Sequence, residues 1–100
     1  MSMKQSIDWD NLGFNAHETK SMYIAKFDSN GNFLDKGLVP YGDIKLSPAA
    51  TVLNYGQGVF EGTKAYETSK NQVAFFRLED NAKRFNNSCL RLCMPEIPNQ

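Results

Sequence analysis

The sequence is short of several things. In 100 residues it has one His and two Cys, and its 11 basic and 11 acidic side chains cancel to a formal charge of zero. Two Cys cannot build a disulfide scaffold or a complete four-ligand zinc site, so no metal centre is expected. A chain without basic excess lacks the footprint of a nucleic-acid binder, which has phosphates to neutralise. It also lacks the basic helix of a membrane-surface binder. No run of 18 apolar residues occurs, so no helix is expected to span a bilayer. The opening MSMKQSIDWD has neither an apolar segment nor an Arg-rich amphipathic pattern. The expectation is a cytoplasmic chain, or one relieved of a targeting segment, with both Cys reduced. Internal repeats and low-complexity tracts are absent as well.

What remains is globular in composition. Hydrophobic residues make up 41% and aromatics 12%, too much for a disordered chain. A domain of this length buries only roughly two-thirds of its unfolded surface, so a thin core is expected.

Residues 1–20 read as a polar, irregular N-terminal segment with Trp9 and Phe14 as its large apolar anchors. Residues 21–100 read as a small α+β domain. Ser21–Phe27 is rich in aromatic and β-branched types and predicts a strand. Residues 28–32 (DSNGN) predict a turn around Asn30-Gly31. Phe33 and Leu34 then open a second strand. Residues 37–50, with Gly37, Pro40, Gly42 and Pro48, read as a connection holding short extended pieces such as 43–46. Thr51–Asn54 reads as the end of a strand. Val59–Thr68 reads as extended, with Gly62 marking a bulge or a close backbone approach. A short strand over 71–76 pairs with it across 69–72. The period then changes: Leu78, Ala82, Phe85, Cys89 and Leu92 recur at helical spacing and predict a helix over 78–92, stopped by Pro95. Glu79 and Asp80 at its start and Arg91 at its end suit the helix dipole. Antiparallel strands followed by one helix make an α+β pattern.

Few motifs carry chemistry by themselves. Tyr55-Gly56-Gln57-Gly58-Val59-Phe60-Glu61-Gly62 looks like a phosphate loop, but its third glycine is one residue late for G-x-G-x-x-G and no Walker lysine follows. Cys89 and Cys93 are four apart, which puts both on one face of a helix reaching that far. They are half a metal site at most and read as two small buried apolar residues. His17 has no neighbouring nucleophile or carboxylate and reads as an exposed loop residue. Asn86-Asn87-Ser88 matches a glycosylation sequon but lies mid-helix, and it is discounted. Arg84 belongs to a seven-residue series with Arg77 and Arg91. Periodicity reads it as a solvated residue pairing with Glu79 or Asp80, and the other reading is an anion clamp. Phe14, Tyr55, Phe60 and Tyr66 lie in or beside glycine-rich or irregular segments, where aromatics wall a ligand pocket or join a core.

Taken together, the motifs have a family likeness. Residues 54–66 (NYGQGVFEGTKAY) resemble the "NYGQGxFEGxKAY" segment of branched-chain amino acid aminotransferases, the class IV, fold-type IV enzymes that use pyridoxal 5'-phosphate. Residues 8–14 (DWDNLGF), 46–50 (LSPAA), 76–85 (FRLEDNAKRF, against "FRPEENAxRF") and 91–95 (RLCMP, against "RxCMP") resemble further family segments in the same order. Leu78 stands where relatives often carry Pro.

The resemblance implies the N-terminal small domain of a fold-type IV enzyme. It implies transamination between leucine, isoleucine or valine and 2-oxoglutarate, in a homodimer whose neighbouring subunit contributes to the site. It assigns Arg84 to the cofactor phosphate, Tyr55 to the substrate pocket beside the cofactor, Phe60 and Phe14 to the walls around the branched side chain, and Gly62 to close backbone approach. The Schiff-base lysine of such enzymes lies in a C-terminal large domain, beyond residue 100. Neither Lys45 nor Lys64 matches its motif, so no catalytic residue is assigned here, and these residues alone are expected to be inactive. Other class IV enzymes, such as a D-amino acid aminotransferase or aminodeoxychorismate lyase, fit the pattern less well. The remaining alternative is a stand-alone, non-enzymatic domain.

Overall fold

The computed structural model describes residues 7–98, apart from the side chains at 35 and 36. The elements run β1 (Ser21–Phe27), β2 (Phe33–Pro40), α1 (Thr51–Asn54), β3 (Ala65–Glu67), β4 (Val73–Phe75) and α2 (Leu78–Arg91). The α+β order is the expected one, antiparallel strands followed by a helix, in keeping with an N-terminal domain of a fold-type IV enzyme. Two compact units divide between Lys45 and Leu46.

In the first unit, residues 7–20 contain no strand or helix, and Asp8 organises a local turn by accepting from the Asp10 amide and the Asn11 side chain. β1 and β2 then pair antiparallel from Ser21↔Pro40 to Phe27↔Phe33. The second strand is longer than the glycine and proline content predicts. Gly37 does not end it. The register shifts between Ile24 and Ala25, opposite Gly37, which adopts φ +73°. A bulge absorbs the extra residue, and glycine meets the left-handed backbone without a Cβ clash. Pro40 is tolerated because it is the last residue of an edge strand. The half-buried positions of β1 are Met22, Ile24, Ala25 and Phe27, so its alternation breaks where the register does. At the turn end the Phe27 and Phe33 rings meet edge to face, 5.1 Å between centroids.

In the second unit, Thr51–Asn54 is one helical turn and not a strand end. Its β-branched residues favour a strand locally, but the preceding Ser47-Pro48 turn starts a helix. The Ala49 amide donates to Ser47 Oγ and the Ala50 amide to the Ser47 carbonyl. Gly56, at φ +65°, stops the turn after one cycle. The extended segment predicted over 59–68 is strand only at Ala65–Glu67, so Gly62 lies outside any ladder, and the predicted 71–76 strand is Val73–Phe75. Every residue of these two short strands is exposed.

The two hairpins use one turn design with different residues. In the first, Asp28 Oδ1 accepts from the Asn30 and Asn32 amides, and Gly31 is left-handed at φ +82°. In the second, Thr68 Oγ1 accepts from the Lys70 and Gln72 amides, and Asn71 is left-handed at φ +56°. In both, the fourth residue is left-handed and its amide bonds the first residue's carbonyl, and the loop is closed by a bond from the first residue's amide to the fifth residue's carbonyl.

α2 ends one residue earlier than predicted, and Pro95 is not what stops it. The Met94 amide bonds the Cys89 carbonyl and the Cys93 amide bonds the Leu90 carbonyl, with Cys93 at φ +56°. This is a Schellman stop with cysteine where glycine is usual. Cys93 therefore lies outside the helix and is exposed, so the shared face predicted for the two cysteines is not formed; Cys89 alone is buried. Among the described residues, Cys89 at 2% exposure is the one buried apolar side chain, while rings such as Phe14, Tyr55, Phe60 and Phe76 face solvent. The core is thinner than the chain length implies: 9543 Å² is exposed, against roughly 5,700 Å² for a compact chain of this mass. Asn86, 7% exposed, has both ends of its side chain satisfied: Nδ2 donates to the Ile97 carbonyl and Oδ1 accepts from the Ile97 amide, each at 2.9 Å. The sequon asparagine is thus engaged inside the fold.

Candidate functional site

Helix α2 presents Asn81 and Arg84 one turn apart on the same side. Both reach Glu61, in the segment before β3. Arg84 Nε donates to Glu61 Oε2 at 2.7 Å and Arg84 Nη2 donates to Oε1, a two-point ion pair. Asn81 Nδ2 donates to the Gly62 carbonyl at 2.8 Å and to Glu61 Oε1 at 3.2 Å. The Glu61 side chain is largely covered, at 17% exposure, while Arg84 stays open at 67%. The Arg84 hydrogen bond and charge hold the Glu61 carboxyl below its ordinary range, against a weaker push from burial, and Glu61 in turn raises Arg84. The partners expected from periodicity are not used. Asp80 pairs with Arg77, and Arg84 takes a carboxylate far away in sequence instead of Glu79 or Asp80.

The guanidinium is held by one edge. Nε and Nη2 are committed to Glu61, and among the described residues Nη1 has no partner. A cavity of about 300 Å³ is lined by Glu61 and Asn81 with Thr63, Leu78, Phe85 and Ile97 among others, and Arg84 is not part of its lining.

The glycine-rich loop is fixed to the far end of the same helix. Gln57 Nε2 donates to the Leu92 carbonyl at 2.7 Å, Gln57 Oε1 accepts from the Thr51 hydroxyl, and the Gln57 amide donates to the Thr51 carbonyl. Gly58 sits so close to Val52 that a Cβ there would lie 2.9 Å from Val52 Cγ2. Over Gly62, by contrast, a Cβ would meet nothing within 4 Å.

The predicted site residues fall into two groups. Arg84 and Gly62 are brought together through Glu61 and Asn81. Tyr55 and Phe60 belong to the Gln57 loop and stand out from it, Phe60 at 92% exposure. Phe14 belongs to the first unit and is fully exposed there. His17 is exposed, with its ring Nε2 3.1 Å from the Leu12 carbonyl. Among the described residues no cluster of His, Cys, Asp or Glu could hold a metal, and no helix is long and apolar enough to cross a membrane.

Three residues of this arrangement had no assigned role in the sequence: Glu61, Asn81 and Gln57. The i, i+3 spacing of Asn81 and Arg84 was readable. Their common partner Glu61 was not, because no local pattern links a loop carboxylate to a helix a whole hairpin later.

Comparison with known proteins gives one consistent relationship. No protein-family model matches the chain. Among curated proteins it is 47% identical over 89 residues to branched-chain-amino-acid aminotransferase 5, chloroplastic, of Arabidopsis thaliana, covering 89% of this chain and 21% of that protein. It is 47% identical over 90 residues to branched-chain amino acid aminotransferase 1, mitochondrial, of Humulus lupulus, covering 90% and 23%. It is 45% identical over 96 residues to a probable branched-chain-amino-acid aminotransferase of Staphylococcus aureus, covering 96% and 26%. The resemblance carried by the motifs thus holds across about nine-tenths of the chain and falls in the N-terminal part of the relatives. The chain spans about a fifth to a quarter of their length.

Proposed function

We propose that this chain is the N-terminal part of a branched-chain amino acid aminotransferase, which moves an amino group between leucine, isoleucine or valine and 2-oxoglutarate with pyridoxal 5'-phosphate. One observation carries the reading: relatives from plants and a bacterium, all named for this enzyme, match nearly the whole chain at 45–47% identity.

Arg84 suits the cofactor phosphate. It is permanently charged and exposed, and it keeps a partner-free Nη1 edge while Glu61 fixes the other. A guanidinium held on one side loses less freedom when its open side meets a phosphate oxygen. When bound, the cofactor supplies the electron sink that amino-group transfer requires. Tyr55 and Phe60, with Phe14 from the first unit, would supply apolar walls. Their exposed rings support that assignment, since each has surface to give to a ligand. Such walls select by apolar volume and offer a polar side chain no partner. The open space over Gly62 suits backbone approach to a ligand.

In this reading the catalytic lysine and a neighbouring subunit of a homodimer belong to the complete enzyme. These 100 residues alone would neither transaminate nor bind the cofactor covalently. The test is exchange of amino groups between leucine and 2-oxoglutarate by the complete protein with pyridoxal phosphate added. No exchange would sink the assignment, and faster turnover of D-alanine than of leucine would move it to another class IV enzyme.

A further inference from the structure

Gln57 occupies an unusual position. Glycines flank it, Gly56 in a left-handed conformation and Gly58 pressed onto Val52. Glycines leave a backbone free to move, so a loop of this composition needs an external hold to keep one shape. Among the described residues, the Gln57–Leu92 bond is the one hydrogen bond that ties segment 55–60 to the end of α2. It also uses a group the helix leaves over. The last carbonyls of a helix have no internal partner. Those of Cys89 and Leu90 are taken by the Schellman stop, and that of Leu92 is taken by Gln57. The other end of the same amide accepts from Thr51 in α1. One side chain therefore connects α1, the loop and α2.

We propose that Gln57 is a positioning residue: it holds the loop bearing Tyr55 and Phe60 at a set distance from the helix bearing Arg84, and so couples the substrate wall to the phosphate anchor. This rests on the proposed aminotransferase reading for what the loop and Arg84 touch. The brace itself rests on the hydrogen bonds alone. An amide is required because it must accept from a hydroxyl and donate to a carbonyl at once. A carboxylate of the same shape keeps the first bond, loses the second, and sets a negative charge at the negative end of α2.

The test is Gln57→Glu in the complete protein, read in two ways. By hydrogen exchange, amides of residues 55–60 are expected to exchange about tenfold faster, the equivalent of one lost hydrogen bond, with those of residues 80–89 unchanged. By kinetics, KM for leucine is expected to rise about tenfold, with kcat within about twofold and pyridoxal phosphate retention as in the parent. Thr51→Val, which removes only the other bond, is expected to give a smaller change of the same kind. Unchanged exchange over 55–60 would overturn the brace. Faster exchange with unchanged KM would overturn the positioning role, as would parallel loss of cofactor and of exchange protection throughout α2. A parent protein without leucine activity would sink the aminotransferase reading, and the exchange measurement would still decide the brace.

Discussion

Glu61 and Arg84 are 23 positions apart in the chain and meet in a two-point ion pair, Nε to Oε2 at 2.7 Å and Nη2 to Oε1. Glu61 is the covered partner and Arg84 the open one. The carboxylate thus aims a guanidinium whose remaining edge faces outward.

The pair has a defined pH window. Glu61 is held below the ordinary carboxylate range by Arg84, so the folded state binds its proton less readily than the unfolded chain does. Its contribution is fully present above the ordinary carboxylate value and is lost as pH falls through the lower folded value. The Arg84 Nε chemical shift is expected to move in acid, as protonation of Glu61 opens the pair. In Glu61→Gln that transition should be absent; an unchanged acid transition would assign it to another group.

Removing the guanidinium tests the phosphate assignment. Arg84→Ala in the complete enzyme is expected to weaken pyridoxal phosphate retention by about tenfold to a hundredfold, the scale of hydrogen bonds to a charged group. Arg91→Ala, in the last turn of α2, serves as the control and should leave retention unchanged. Equal cofactor loss rates for the parent and Arg84→Ala would refute the assignment.

Cys93 is an ill-suited residue for its backbone. At φ +56° its Cβ crowds the chain, and glycine is the usual occupant of that place in a Schellman stop. Cys93→Gly is expected to stabilise the protein by about 0.5–1 kcal/mol, the relief of strain less the added freedom of the unfolded chain. Denaturant titration would register this as a higher midpoint at constant slope.

Asn86 is expected to tolerate no truncation. Asn86→Ala leaves the Ile97 amide and carbonyl without their partner, at a cost of about 1–3 kcal/mol. Asn86→Asp keeps the acceptor and loses the donor, so a smaller loss is expected. Midpoints for these two variants in the opposite order would show that a carboxylate oxygen set against the Ile97 carbonyl costs more than the loss of both bonds.

The Asp28 turn adds an acid-sensitive element. The Asn32 amide holds the Asp28 carboxyl below its ordinary range, partly offset by burial and assisted by the Asn32 side chain and the Asn30 amide. Asp28→Ala is expected to loosen the β1–β2 hairpin and abolish the acid dependence of the Gly31 amide shift. The Thr68 turn, built on a hydroxyl, should show no such dependence.

Much was legible in the sequence because it depends on neighbours. Helix α2 followed from the spacing of Leu78, Ala82, Phe85 and Cys89, and the first hairpin turn followed from Asn30-Gly31. The likeness to branched-chain aminotransferases, and with it the interest of Arg84, came from linear motifs. Where local signals misled, the cause was also local. β-branched Thr51 and Val52 read as strand, yet the Ser47-Pro48 turn before them and Gly56 after them enforce one helical turn. Gly37 read as an end to β2, yet a bulge carries the strand through it.

Pairing across distance was set by the path of the chain in space. Glu61 reaches Arg84 over 23 positions, Gln57 reaches Leu92 over 35, and Asn86 holds Ile97 over 11. Periodicity offered Arg84 two carboxylates on its own helix, and the fold gave it neither. An exposed pair on one helix gains little over solvation, whereas a carboxylate already covered and bonded by Asn81 offers a stronger partner. Local sequence specified β1, α2 and the chemical identity of the groups the elements carry, but neither α1 nor the length of β2. Which edge of Arg84 stays open was set by the chain returning on itself, because propensities act over a few residues and side-chain partners are chosen through space.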